Sequence, residues 1–253
     1  MNRVVITGLG PVTGFGYGWE SLWENMVQGL DCIRPWQPEE ILDNSFPVHY
    51  AAPVDKTLLP ASLENHPAWQ VPLEQRTRYG WLAASLAISD SGIESSALKG
   101  AAVLTASGAP HHFLSDMLLA IPEDKNTAPG WEHLMKRQQE VHPNGSLCQA
   151  NDRLAEVIAN DIGSCGPVIN ISSACAGAAQ AIGNALQMIR RGEVSVAIAG
   201  GADSVLNLDT MTALYLLGAA STEQRWGTKL CRPFDSQRSG LILCVLRETQ
   251  HRQ

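Results

Sequence analysis

Apolar and polar positions alternate between two periods along this chain. Arg3-Val4-Val5-Ile6-Thr7 reads as a short buried strand, and Ala101-Ala102-Val103-Leu104-Thr105 as a second. Val168, Ile169 and Ile171 form a third strand after the turn pair Gly166-Pro167. Val194 to Ala199 is a fourth, and the apolar run Leu241 to Leu246 a fifth. The helical period appears between them. Trp19, Leu22, Trp23 and Met26 share a face over 19–29. Tyr79, Leu82, Ala83, Leu86 and Ala87 do so over 76–91, with Gly92 as a stop. Further helices are predicted at 151–162, through the alanine-rich stretch after residue 175, and at 206–218, with a weaker pattern at 130–141. Residues 33–72 are rich in proline and polar side chains and read as loop. The order β-α-α-β-α-β-α-β-α-β implies an α/β domain with a mixed sheet flanked by helices.

Bulk properties narrow the class. The chain has 253 residues, 45% hydrophobic and 17% charged, which describes a globular protein with a large core. A net charge of −7 argues against a nucleic-acid partner. No apolar run reaches the roughly 20 residues that span a bilayer, and the N-terminus lacks a signal-peptide h-region, so a cytoplasmic location is expected. The six cysteines (Cys32, Cys148, Cys165, Cys175, Cys231 and Cys244) form no C-x-x-C pair and no zinc-site spacing. Reduced thiols follow in that compartment, and no metal or cofactor is expected.

Three local patterns carry candidate chemistry. The first is Gly8-Leu9-Gly10-Pro11-Val12-Thr13-Gly14-Phe15-Gly16. Its spacing departs from a dinucleotide fingerprint, and Pro11 stands where a helix would begin. Close backbone passage between strand and helix explains it better. The second is His111-His112. A metal or acid–base role is conceivable, but neighbouring residues on one element point different ways. The third is Cys175, at the bend between the strand at 168–171 and the helix behind it. A cysteine among alanines is ordinarily a small buried hydrophobe. At a helix N-terminus, however, unpaired N–H groups and the dipole favour a thiolate.

Five stretches in this order resemble the β-ketoacyl-acyl-carrier-protein synthases, the elongating condensing enzymes of fatty acid and type II polyketide synthesis. They are Val4-Val5-Ile6-Thr7-Gly8-Leu9-Gly10, Arg76-Thr77, Gly166-Pro167 leading to Ser173-Ala174-Cys175-Ala176, Ala199-Gly200-Gly201-Ala202-Asp203, and Arg232-Pro233-Phe234-Asp235-Ser236-Gln237-Arg238-Ser239-Gly240. The resemblance implies the N-terminal half of a thiolase-like fold. Residues 1–253 would form that domain, with 109–150 as a variable helical or loop insertion and the C-terminal half missing. It places the family nucleophile, and one backbone oxyanion N–H, on Cys175, which would accept an acyl chain from acyl carrier protein. Ala109, Thr210 and Leu214 would lie near the acyl pocket.

The two histidines and the lysine of the family's decarboxylating machinery match nothing in this chain; neither His111 nor His112 fits their motifs. Condensation by the chain alone is therefore not expected, and a full-length ketosynthase in a heterodimer is the expected partner, docked through about Val168 to Ser172. A helix after Cys175 that is apolar on nearly every side would need such cover. Arg225, Lys229, Arg232, Arg238, Arg247 and Arg252 offer a docking face for an acidic carrier protein, or simply a solvated surface. Two further readings stay open: a non-catalytic partner similar to a chain-length factor, and a nonfunctional remnant. A cysteine hydrolase lacks a convincing Cys–His–Asp set.

Overall fold

A computed structural model describes residues 2–38, 41, 43, 45–54, 74–108, 136 and 150–244. Its centre is a parallel three-stranded sheet. Strand β5 (Ala102–Ala106) lies between β6 (Val168–Ile171) and β7 (Ala197–Gly201). In register, Ala106 stands opposite both Ile171 and Gly201. Four shorter strands make two antiparallel ladders, β1 (Val12–Thr13) with β2 (Gly16–Tyr17) and β3 (Arg34–Pro35) with β4 (Tyr50–Ala51).

Helices cover both faces of the sheet, as parallel strands require. Helix α1 (Trp19–Val27) lies outside this sandwich; α2 (Gln75–Ser91) is followed by the short α3 (Ser95–Leu98). Helices α2 and α4 (Arg153–Asp161) pack together on one face, where Trp81, Leu82, Leu154, Val157 and Ile158 close over Val103. Helix α5 (Gly177–Arg191) packs on the other, with Ala181, Ala185 and Met188 over Ala102 and Leu104. The period of two along β5 thus sends alternate side chains into two different cores. Helix α6 (Leu208–Leu216) belongs to a third cluster, in which Met211 and Leu206 meet Phe46 and Val48.

Glycines end three of the helices, and Gly92 does so where the sequence predicts a stop. Gly92, Gly163 and Gly192 follow their helices with φ of 61°, 63° and 76°, the left-handed region glycine enters freely. Helix α1 forms as its spacing predicts but buries no residue. Residues 33–72, read as loop, hold the two-residue strands β3 and β4, and other expectations change as well. Residues 3–7 form no strand, and Ile6 is 80% exposed; no described strand pairs with them, and an apolar stretch without a ladder partner has nothing to extend against. The run from Leu241 reduces, within the described residues, to single bridges at Leu241 and Cys244. The helix behind Cys175 is amphipathic rather than apolar all round. Gly177, Ala181, Ala185 and Met188 form its buried stripe, while Gln180, Asn184 and Gln187 face outward beside an exposed Ile182. The predicted helix at 130–141, apart from Lys136, and nearly all of the 109–150 insertion lie outside the described residues.

The glycine-rich loop has a packing explanation. A Cβ on Gly8 would stand 2.0 Å from the Ala87 carbonyl oxygen, and one on Gly10 would stand 1.9 Å from that of Ala83. The loop therefore lies directly on the α2 backbone, which agrees with close passage rather than phosphate binding.

Candidate active site at the strand–helix elbow

Strand β6 ends at Ile171, and the chain bends through a single 3₁₀ turn, Ala174–Ala176, into α5. Ala174 takes φ of 43°, a conformation a non-glycine residue seldom adopts. Cys175 follows it and is exposed. A nucleophile held on a strained strand-to-helix bend, open to solvent, is a known way to present a reactive atom.

Two glycines seat the elbow on the sheet. A Cβ on Gly177 would lie 2.8 Å from the Ala106 Cβ, and one on Gly201 would lie 2.9 Å from the Ala178 Cβ. The first turn of α5 therefore rests on the ends of β5 and β7 with nothing larger than an alanine methyl between them. Behind it runs a polar network. Thr105 Oγ1 donates to Asn170 Oδ1 at 3.1 Å, and Ser107 Oγ donates to the Asn151 carbonyl at 2.8 Å. Beyond β5, the Gly108 N–H donates to Asp203 Oδ1 at 2.8 Å, and Arg76 donates to the Gly108 carbonyl. Arg76 is itself ion-paired with Glu74, and both are buried. All of this lies at the C-terminal end of the parallel strands, where open α/β sheets hold their ligands. The sequence motifs contain Arg76 and Asp203 without suggesting what either touches.

The other candidates separate. Thr210 sits in the first turn of α6, its N–H donating to the N-cap Asn207 Oδ1 at 2.8 Å. Leu214 packs against the Phe46–Met211 cluster. Ala109, His111 and His112 lie outside the described residues.

The basic tail is largely neutralised. Arg225 pairs with Glu223 at 2.9 Å and Lys229 with Asp31 at 3.1 Å, and Arg232 Nε donates to Asp235 at 3.0 Å. Arg225 and Arg232 also stack on the Trp226 ring, 4.8 and 4.3 Å from its centroid. This arrangement favours a solvated, self-paired surface over a carrier-docking face; Arg247 and Arg252 lie outside the described residues. Burial pushes the Cys32 thiol up, helped by the neighbouring Cys244, which suits a packing role. Among the described residues, no three His, Cys, Asp or Glu side chains are grouped to hold a metal ion, and no helix is long and apolar enough to cross a membrane.

Comparison with known proteins places this architecture among the thiolase-like ketosynthases. A Beta-ketoacyl synthase from Burkholderia phymatum STM815 superposes with a TM-score of 0.75 at 24% identity, over 96% of this chain and 57% of its own. The ishigamide ketosynthase/chain length factor superposes with a TM-score of 0.69 at 22% identity, over 95% of this chain and 55% of its own. The chain belongs to the family described as Beta-ketoacyl synthase, N-terminal domain, whose profile matches residues 1–244. A 3-oxoacyl-acyl-carrier-protein synthase 2 from Rhizobium meliloti (strain 1021) is 27% identical over 274 residues, covering 99% of this chain and 60% of that protein. The chain thus spans little more than half the length of the curated relatives it matches.

Proposed function

We propose that this chain supplies the nucleophile-bearing half of a β-ketoacyl synthase. Cys175 accepts an acyl group from acyl carrier protein. Its thiolate attacks the carrier thioester carbonyl, a carbon–sulfur bond to Cys175 forms, and the bond to the carrier sulfur breaks. The carrier thiolate leaves and takes up the proton that Cys175 released. The observation that carries this reading is the elbow itself: an exposed Cys175 beside the strained Ala174, seated through Gly177 on the end of β5.

Condensation then needs groups that none of these 253 residues matches, the two histidines and the lysine of the family. Loss of a single oxyanion donor costs about 3–4 kcal/mol of barrier in measured cases, and missing acid–base groups add to that. A full-length ketosynthase in a heterodimer is the proposed source. Two features support a covering partner. Among the described residues, strand β6 is an edge of the sheet, with Val168 and Ile169 exposed. Phe234, in the last family motif, is wholly exposed at φ 65°.

Intact mass measurement after incubation with an acyl-carrier-protein thioester, with and without a ketosynthase, tests the reading. One acyl adduct, absent from Cys175→Ala, is expected. If a complex with the ketosynthase keeps full activity when Cys175 is replaced, the chain is instead a non-catalytic partner similar to a chain-length factor.

A further inference from the structure

Gly14, in the turn between β1 and β2, has two thiols against it. A Cβ at this position would stand 2.6 Å from Cys32 Sγ, so glycine is what leaves that sulfur its place. The Gly14 N–H donates toward the Cys244 sulfur. Cys32 and Cys244 are both free thiols, and they come from opposite ends of the chain.

Backbone contacts bring these ends together. Arg34, two residues beyond Cys32, pairs with Ala51 in the β3–β4 ladder, and its guanidinium donates to the Pro53 carbonyl at 3.3 Å. Ala52 bridges Cys244 in parallel register, its N–H donating to the Leu243 carbonyl at 2.8 Å. The Ala52 carbonyl oxygen lies 3.5 Å from the place a Gly14 Cβ would take. Four segments thus meet at one glycine, and both sulfurs lie against it. Cys244 is exposed as a residue, while its sulfur is turned in toward Gly14 and burial raises its pKa. Burial also raises the Cys32 thiol, and Cys244 is the next largest influence on it, so the two groups sense each other.

We propose that Cys32 and Cys244 are a redox pair that closes a disulfide under hydrogen peroxide and staples the Leu243–Cys244 segment to the β1–β2 turn. Cys244, the exposed member, reacts first. Its thiolate attacks a peroxide oxygen, a sulfur–oxygen bond forms, the oxygen–oxygen bond breaks, and hydroxide leaves. The Cys32 thiolate then attacks that sulfenic sulfur. The sulfur–sulfur bond forms, the sulfur–oxygen bond breaks, and a second hydroxide leaves. The hydroxides take up the protons the two thiols released, so the pair loses two electrons and the peroxide becomes two waters. A small thiol such as glutathione reverses the bond by exchange. None of this involves Cys175, so the pair stands or falls separately from the acyl-acceptor reading.

Peptide mapping tests the pair directly. The full-length chain is treated with hydrogen peroxide, once folded and once in urea, then blocked with N-ethylmaleimide and digested without reductant. A Cys32–Cys244 cross-linked peptide is expected from the folded chain. It should exceed any peptide joining either cysteine to exposed Cys165 or Cys231 by about 10-fold, and dithiothreitol should remove it. Cys32→Ser and Cys244→Ser should each abolish it. Circular dichroism checks that both variants fold, and Cys244→Ser, at the exposed partner, serves alone if Cys32→Ser does not. The bond closes a loop over nearly the whole domain, so oxidation should raise the thermal midpoint of the parent chain by about 5–10 °C. Cys244→Ser should show no such rise. Sulfinic acid at Cys244 without the cross-link, a cross-link that forms only in urea, or a midpoint unmoved by the cross-link would overturn the proposal.

Discussion

Val4-Val5-Ile6 and Ala102-Val103-Leu104 look alike as sequence: short apolar runs, each followed by small residues. Their fates differ. Residues 102–104 form the middle of a parallel sheet and are 0% exposed, with helices on both faces. Residues 4–6 lie along the molecule with no ladder, although Gly8 and Gly10 hold the segment that follows tightly to α2. A strand is a relation between segments. Apolar content makes a run available for pairing, and neighbours on either side turn it into a strand.

Substitution can break this comparison. Leu104→Ala, at a position closed by Ala181 and Met188, should cost about 2–5 kcal/mol in urea unfolding. Ile6→Ala should stay within about 0.5 kcal/mol, as for surface positions generally. A large loss at Ile6 would show that residues 4–6 are covered in solution.

A second contrast lies within one helix. Gly177→Ala sets a Cβ 2.8 Å from that of Ala106, and overpacking of about 1–3 kcal/mol outweighs the gain in helix propensity. Gly183 has nothing within 4 Å of such a Cβ, so Gly183→Ala should stabilise by about 1 kcal/mol. Opposite shifts in thermal midpoint are expected, and restoring space with Ala106→Gly should rescue Gly177→Ala. Equal shifts at both glycines would remove the close seating of the elbow on β5.

Smaller effects follow from titration. Burial, and then the nearby Cys244, raise the Cys32 pKa. Its thiolate fraction is therefore below that of an ordinary thiol at any pH short of full ionisation, and alkylation of Cys32 should trail that of exposed Cys165 as pH rises. The Asp235 carboxyl is held below its ordinary 3.8 by the Gln237 N–H first and by Arg232 next. A depressed carboxyl contributes stability above its unfolded value and loses it as pH falls through the folded one. Asp235→Asn should flatten the thermal-midpoint profile below about pH 4, the smallest of these effects because the pair is open to solvent screening.

Much of the site was legible in advance, for local reasons. The change from β-branched residues to alanines predicts a bend at Cys175, and the chain turns there into a helix. Gly92 marks a helix end because a left-handed cap is decided within one turn. Strand β7 begins at Ala197, three residues later than its pattern suggested, since pairing with β5 rather than apolarity sets its start. The outward face of α5 is less legible, because alanine is compatible with either face and only the spacing of Gln180, Asn184 and Gln187 marks the exposed one. The grip of Arg76 and Asp203 on Gly108 leaves no local trace: its donors and acceptors are 32 and 95 residues apart.

The α/β class, most helix limits, the buried β5 and the position of Cys175 at an elbow can be read along the chain. Each depends on periodicity or on backbone preferences felt within a few residues. Tertiary structure decided which apolar run became a strand, which glycines admit no Cβ, and how Arg76 and Asp203 meet at Gly108. Those outcomes depend on what lies opposite in space, and a one-dimensional pattern carries no term for a neighbour tens of residues away.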